Sequence, residues 1–447
     1  MTGRLLPAPH RATTAQLQAL YPFVAETGLG AVGAYIGRDL LGGAFVYDPW
    51  ELYRAGRITS PNAVVIGQIG RGKSALVKTF VWREMAFGRQ AWVIDPKGEY
   101  GALADRCGIT PLRLAPGGAL RLNPLDLPGR ASPFPATRAA DASARADDDR
   151  RRQAELLASL AAASLGRPLR PAERTAVELA LDTAARRRRP DQPVTLPEVV
   201  AALLVPDPEV AATVRTDAGG LAADGRDAAL ELRRLVEGDL RGMFDGPTTP
   251  GIDLGAPLVV LDLSAVYTSA ALGILITCAA AWLQAAFASG DDVRRILVVD
   301  EAWAVLSDLA IARWLRASTK LSRSHGVATW VVVHRLSDLT AAGDDGSEQV
   351  RLARGLLAVH HPGLDVGQPP SEIEGARDLL GLSDTEAELL VRLPRGVGLW
   401  KVGTRTFLVE HRLGAGERGL VDTDRRMGAG DGGWPGRAEG WPGGRSP

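Results

Sequence analysis

The segment that decides the fold reads Ala63-Val64-Val65-Ile66-Gly67-Gln68-Ile69-Gly70-Arg71-Gly72-Lys73-Ser74-Ala75. Its apolar start predicts a buried parallel strand, and the residues from Gly67 to Ser74 match the pattern GxxxxGK[ST] of a phosphate-binding loop. Apolar residues at helical spacing then predict a helix over 74–87. Backbone N–H groups of such a loop turn inward, and the helix N-terminus adds partial positive charge. The segment therefore predicts a nucleotide site in an α/β sheet; a glycine-rich structural turn is the alternative.

Within this loop, two side chains carry the predicted chemistry. Lys73 would reach the β- and γ-phosphates, and the Ser74 hydroxyl would complete the shell of a Mg²⁺ ion. The remaining residues of the range 67–75, Ala75 included, are predicted to hold the phosphates mainly through the backbone.

A second buried strand ends in two carboxylates, in the sequence Ile296-Leu-Val-Val-Asp300-Glu301. In an open α/β sheet, the carboxyl ends of the strands bring such acids beside the phosphate loop. Asp300 would then hold the magnesium ion, directly or through water, and Glu301 would orient and deprotonate the attacking water. The competing interpretation is a strand that runs into the acidic start of a helix.

A third strand, Ala91–Asp95, is followed by Pro96-Lys97-Gly98-Glu99-Tyr100. Its carboxylates and Lys97 could face the γ-phosphate or could form only a polar turn. The spacing alone leaves these two interpretations equal.

Composition limits the possible classes of protein. The chain has 447 residues, of which 46% are hydrophobic and 23% charged, and its 52 basic residues balance 52 acidic ones. This excludes a mainly disordered chain and a coiled coil, and no overall field attracts nucleic acid or an anionic membrane. Two cysteines, Cys107 and Cys278, make a disulfide framework or a zinc site implausible.

An uncharged run over 263–290 has the length of a membrane span. Its hydropathy is modest, and it would have to lie inside the nucleotide-binding core, so we expect no intrinsic transmembrane span. The start of the chain does not have the pattern of a secretory signal.

The domain organisation follows from changes in the pattern along the chain. We expect an N-terminal segment with a β-hairpin (1–60), the first part of a nucleotide-binding core (61–127) and a helical insertion (128–245) with a linker at about 128–150. The second part of the core with a C-terminal hairpin (246–427) and a disordered Gly/Trp/Pro tail (428–447) follow. The predicted fold class is α/β, with a mainly parallel sheet, an all-helical insertion and small hairpins at the sheet edges.

Seven segments together carry a resemblance to a known group of proteins. They are 67–74 (GQIGRGKS), 94–100 (IDPKGEY), 121–126 (RLNPLD), 243–249 (MFDGPTT), 259–264 (VVLDLS), 296–303 (ILVVDEAW) and 320–339 (KLSRSHGVATWVVVHRLSDL). The combination resembles the FtsK–HerA branch of P-loop motor ATPases. Within that branch it is most similar to type IV secretion and conjugation ATPases of the VirB type, component four, in their actinobacterial form.

The resemblance covers roughly residues 33–424. It implies a RecA-like motor domain with a helical insertion, hydrolysis of ATP with Mg²⁺, and a hexameric ring. It also implies recruitment to a membrane-embedded secretion or conjugation component, and so a cytoplasmic chain at the inner face of the plasma membrane. DNA or protein is the implied substrate.

Three features depart from the group. Only about sixty residues precede the first core strand, which suggests that a docking domain lies on another polypeptide. The branch usually ends its fourth core strand with Thr-Gln, whose amide senses the γ-phosphate, whereas this chain has Val333-His334. His334 is therefore the expected sensor, unless it only caps the strand. Finally, no basic stripe marks a DNA channel.

The resemblance also implies an arginine that acts between subunits. Arg323 lies three residues before Gly326, at the spacing where FtsK-like motors carry their inter-subunit arginine. The alternative is a solvent-facing residue on a basic helix. Arg335, Arg351 and Arg354 are weaker candidates for the same role.

Three functions remain open on this sequence. The leading hypothesis is an ATPase motor of a conjugation-type secretion machine. The second is an FtsK-like or coupling-protein-like translocase that pulls DNA itself. The third is a nucleotide-binding scaffold that barely hydrolyses, against which the intact Lys73, Ser74, Asp300 and Glu301 argue.

Overall fold

The structure is a computed structural model, and a single sheet organises the part of the chain that it describes. That part comprises residues 28–126, 139–189, 192–238, 240–253, 255–267, 272, 275–276, 293–302, 326–335, 337, 355 and 363–421.

Eleven strands form the sheet. They are β1 (Ala34–Asp39), β2 (Ala44–Tyr47), β3 (Ala63–Ile66), β4 (Gln90–Asp95), β5 (Leu112–Arg113), β6 (Leu258–Asp262), β7 (Arg295–Val299), β8 (Val327–Val333), β9 (Gly363–Asp365), β10 (Val397–Val402) and β11 (Arg405–His411). Their order across the sheet is β2-β1-β11-β10-β9-β3-β8-β7-β4-β6-β5. Both predicted hairpins are present, and together they extend one edge of the core sheet.

The strands from β9 to β5 in this order run parallel, and the hairpin strands join them antiparallel. Strands β3, β7 and β8 are buried along their whole length, as expected for parallel strands covered on both faces. In the register, Ile66 pairs with Val333, Val299 with Val331, and Ile94 with Val299. The carboxyl ends of four adjacent strands, β3, β8, β7 and β4, therefore meet at one edge.

Eleven α-helices lie within the described residues. They are α1 (Pro49–Arg54), α2 (Lys73–Met85), α3 (Gly101–Arg106), α4 (Ala139–Leu165), α5 (Pro171–Arg187), α6 (Leu196–Leu204), α7 (Pro208–Thr213), α8 (Ala218–Glu237), α9 (Ile373–Leu380), α10 (Asp384–Arg392) and α11 (Arg418–Val421).

Helices α4 to α8 fall between β5 and β6 and pack mainly on one another, as the predicted helical insertion requires. The Thr195–Glu198 capping box starts α6, and the Asp207 side chain accepts the Glu209 N–H at the start of α7. One expectation was wrong: α4 begins at Ala139, so much of the linker predicted at 128–150 is helical. Its alanines favour helix strongly enough to outweigh the acidic run that suggested a loop.

Two hydrophobic cores lie on opposite faces of the sheet, because alternate residues of each strand point to opposite sides. Val64 and Ile66 face the core that contains the helical insertion. Ala63 and Val65 face the core that contains α2 and the N-terminal hairpin, where Trp330 stacks on Phe80 with ring centroids 4.1 Å apart. The phosphate-loop helix is thereby fixed by aromatic packing behind the site.

Within the described residues, no helix is long and apolar enough to cross a membrane. Most of the uncharged run over 263–290 falls outside those residues, as do Cys278 and the tail.

Candidate functional site

The predicted phosphate loop connects β3 to α2, which begins at Lys73. Gly70 and Gly72 take φ values of +80° and +109°, in the left-handed region that glycine enters without a Cβ clash. A Cβ atom at Gly70 would meet no other atom within 4 Å, so the space beside the loop is open. Ile69 is largely exposed, whereas Ser74 and Ala75 are half-buried. The segment thus has the shape of an anion cradle.

Lys73 is 3% exposed and folds back over the loop. Its Nζ donates to the backbone oxygens of Gly67 and, at 3.1 Å, Gln68. Burial lowers the pKa of Lys73 to about 8. The negative charges of Asp300 and Glu301 oppose this lowering, whereas the positive charge of Lys97 lowers the pKa further. The desolvated ammonium lies within the field of the two carboxylates.

Asp300 and Glu301 directly follow β7 and are both buried. The Glu301 N–H donates to Asp300 Oδ1 at 2.9 Å, and the Asp300 N–H donates to the Ile94 oxygen at 3.2 Å. Burial and the neighbouring Glu301 raise the pKa of Asp300. A carboxylate in this position gains from a divalent cation, which compensates the cost of its charge.

The turn after β4, Asp95–Tyr100, brings one of its side chains to the carboxylates that follow β7. Asp95 organises it, because its carboxylate accepts the N–H groups of Gly98, Glu99 and Tyr100 at 2.9–3.1 Å. Burial nevertheless raises the pKa of Asp95 to about 6. Lys97 forms an ion pair with Glu301, so the turn delivers a cation to the predicted catalytic carboxylate.

His334 ends β8, between β3 and β7 in the sheet. Its Nε2 contacts Glu301 Oε1 and lies 3.5 Å from Lys97 Nζ. The predicted sensor therefore contacts the predicted base. The interpretation of His334 as a strand cap alone does not account for this contact.

A segment that the sequence patterns did not identify holds the phosphate loop from the other side. Gln68 N donates to the Gly367 oxygen at 3.0 Å, and Arg71 Nη1 donates to the Leu393 oxygen at 3.1 Å. Asp365, at the end of β9, is fully buried, and burial raises its pKa to about 7, although Gly367 N–H and Lys73 oppose the shift. Strand β9 has only three residues, too short to produce a periodic signal.

The residues present fit Mg²⁺ and a nucleoside triphosphate. Ser74 and Asp300 offer the oxygen ligands that Mg²⁺ prefers, and the loop offers N–H groups and Lys73 for phosphates. Among the residues that the structure describes, no cluster of three or more His, Cys, Asp or Glu could hold a metal alone. Because Mg²⁺ at nucleotide sites usually keeps several waters and binds the phosphates, phosphate oxygens and water would supply the rest of its shell.

The predicted inter-subunit arginine cannot be located. Arg323, Arg351 and Arg354 lie outside the described residues, and Arg335 is exposed just after His334.

Comparison with solved structures places this geometry in a known fold. VirB4 of Thermoanaerobacter pseudethanolicus matches with a TM-score of 0.67 and 23% identity, over 88% of this chain and all of that one. The bacterial conjugative coupling protein TrwB, in a trigonal form with sulphate, matches with a TM-score of 0.52 and 13% identity, over 86% of this chain and 95% of that one. TrwB with ADP and Mg²⁺ matches with a TM-score of 0.51 and 14% identity, over 88% and 98% of the two chains.

No protein-family model and no curated protein sequence matches the chain. The chain has an α/β fold of the P-loop NTPase type, with a mainly parallel sheet and a helical insertion. Its fold is that of VirB4 and TrwB, which confirms the fold class predicted from the sequence.

Proposed function

We propose that this chain is an ATP-hydrolysing motor that energises a conjugation-like or type IV secretion-like transport machine. One observation carries the proposal. Lys73 lies far in sequence from the adjacent carboxylates Asp300 and Glu301, and the fold brings them to one edge of the sheet. Similarity of fold to VirB4 supports the choice of motor.

Each side chain has a role that its position supports. Lys73 and the loop N–H groups would bind the β- and γ-phosphates, while Ser74 and Asp300 would hold Mg²⁺, which supplies charge neutralisation on the phosphates when bound. Glu301 would orient a water molecule and accept its proton as the oxygen attacks. His334, in contact with Glu301, is placed to respond to the occupant of the site.

The working assembly is proposed to be a hexameric ring, in which Arg323 of one subunit would contribute to the site of its neighbour. The ring would act at the inner face of the plasma membrane, bound to a membrane-embedded secretion or conjugation component. DNA or protein would be the transported substrate.

A coupling-protein-like DNA translocase is the second candidate, because the structural likeness extends to TrwB, a plasmid coupling protein. Turnover of ATP with and without double-stranded DNA separates the candidates. A secretion motor should hydrolyse ATP at a rate that DNA does not change, and a translocase should be stimulated by DNA. Absence of turnover in both conditions, with nucleotide still bound, would indicate a scaffold and contradict the proposal.

A further inference from the structure

The Glu301 carboxylate is held between two nitrogen groups from the flanking strands. Lys97, after β4, forms an ion pair with Glu301 Oε1, and His334, after β8, contacts the same oxygen. Burial opposes the charge on Lys97, but its hydrogen bond to Glu301 and the charge of that carboxylate raise the pKa of Lys97 overall. The raised pKa keeps the Lys97 ammonium charged in this contact.

This contact affects the chemistry of the proposed base. Glu301 Oε1 already contacts an ammonium and an imidazole nitrogen, so this oxygen is engaged with protein groups rather than open to a water molecule. Glu301 also has a φ of +51°, a conformation that costs a non-glycine residue energy and persists only where its surroundings hold it. The two contacts and the backbone conformation therefore restrain Glu301 in a fixed position.

Lys97 also lies at the sheet edge from which the phosphate loop starts, because β4 and β3 both end there. Its charge acts on Lys73 and lowers the pKa of Lys73, so the two ammonium groups repel each other across the site. The Lys97 side chain is 31% exposed, and its Nζ lies 5.9 Å from the centroid of the Tyr267 ring. A phosphate between the two cations would relieve their repulsion, and the partly exposed Lys97 side chain can reach toward it.

We propose that Lys97 is a latch on Glu301: it binds this carboxylate in the nucleotide-free chain and exchanges it for the γ-phosphate of bound ATP. Glu301 is then released for water only when a triphosphate is present. Lys97 is a positioning residue, since it acts through Glu301, and the inference rests on the proposed function. A diphosphate lacks the group that draws Lys97 away and would leave the latch closed.

The test compares the affinities for ADP and for a non-hydrolysable ATP analogue, both with Mg²⁺, by titration calorimetry on the full chain. Lys97→Met should weaken binding of the analogue about tenfold or more, the value of one charge-assisted hydrogen bond, and leave ADP binding unchanged. Glu301→Gln should strengthen binding of the analogue about threefold to tenfold, because no ion pair has to be broken. The double variant Lys97→Met/Glu301→Gln should lose that gain.

Two further variants control this cycle. Lys97→Arg keeps the charge and should retain most of the preference for the analogue. Lys401→Met removes another Lys–Glu pair, in which Lys401 Nζ lies 3.1 Å from Glu386, and should not change the ratio of the two affinities. If Lys97→Met does not fold, Lys97→Gln takes its place in the single and double variants, because it also removes the charge.

Two results would overturn the latch. One is a preference for the analogue that does not depend on Lys97, and the other is a gain in affinity from Glu301→Gln that survives in the double variant. Lys73→Ala separates this outcome from failure of the proposed function. If nucleotide binding depends on Lys73 but not on Lys97, only the latch is wrong. If the wild-type chain binds neither nucleotide, both are wrong.

Discussion

Gly67 and Val366 are packed so closely that a methyl group on Gly67 would overlap the Cγ2 atom of Val366. The two residues directly follow the neighbouring parallel strands β3 and β9, and the Val366 N–H donates to the oxygen of Ile66 at 3.0 Å. The first glycine of the phosphate loop is therefore required by its neighbour in the sheet as well as by the turn.

Gly67→Ala should weaken binding of ATP and ADP about tenfold or more, because the overlap displaces the loop from its anchor. Isothermal titration with each nucleotide measures this effect. Gly67→Ala/Val366→Ala makes room for the methyl group and should recover part of the affinity. No recovery in a folded double variant would show that overlap with Val366 is not the cause.

Arg71→Ala should weaken ATP and ADP binding by the same factor, about threefold to tenfold. The Arg71–Leu393 hydrogen bond holds the loop in its bound shape. Without this bond the loop has to become ordered when the nucleotide binds, and the entropy cost of that ordering weakens binding. Arg392→Ala, at an exposed position in the same region, is the matched control and should not change either affinity. A loss confined to ATP would instead indicate direct contact between Arg71 and the γ-phosphate.

Lys73→Ala should abolish nucleotide binding or turnover. Glu301→Gln should still bind ATP but hydrolyse it at least about a hundredfold more slowly than the wild type, because it lacks the general base. Filter binding with labelled ATP, followed by analysis of the bound nucleotide, distinguishes the two variants. Retained ATP in the Gln variant and an empty Ala variant support both roles. Rapid turnover by Glu301→Gln would remove Glu301 as the base.

Arg323→Ala and Lys73→Ala should each be inactive alone, yet rings mixed from both should regain some turnover. In such a ring, the Lys73→Ala subunit supplies its arginine to the intact phosphate loop of its neighbour. The rate of ATP turnover, measured over a range of ratios of the two variants, shows whether activity is recovered. Arg335→Ala in place of Arg323→Ala tests the weaker candidate. Rings that exchange subunits and stay inactive would show that Arg323 does not act across the interface.

Stability should fall at acid pH because of His411. Its Nε2 lies 2.9 Å from Thr79 Oγ1 on the phosphate-loop helix, and burial, with Arg83 beside it, lowers the pKa of His411 to about 4. Between pH about 6.5 and about 4 the unfolded chain binds this proton and the folded chain does not. The free energy of unfolding should therefore fall by up to about 3 kcal/mol across this range.

Urea unfolding of the wild type and of His411→Gln, measured at pH 7 and pH 4.5, isolates this contribution. The difference between the two proteins removes the effect of other groups, such as Asp95, that titrate in the same range. The wild type should lose more stability than the variant on acidification. Equal losses would show that His411 is not the group responsible.

The sequence by itself determined the phosphate loop, the carboxylates after β7 and the α/β class. These features are local: an apolar run followed by Gly67–Ser74, and another followed by Asp300 and Glu301, specify strand, turn and site chemistry over a few residues. The helical insertion was also predicted, but the start of α4 at Ala139 was not, since helix propensity and an acidic run gave opposing signals.

Only the tertiary structure decided which side chains meet. Strand order places β8 between β3 and β7, and β4 on the other side of β7. Lys97 and His334 therefore converge on Glu301, although Lys97 and His334 are 237 positions apart in the sequence. The anchoring of Gln68 at Gly367 depends likewise on β9, which is too short for its pattern to be recognised. Contacts of this kind depend on how strands pair across the sheet, and hydrophobic periodicity specifies each strand without specifying its neighbour.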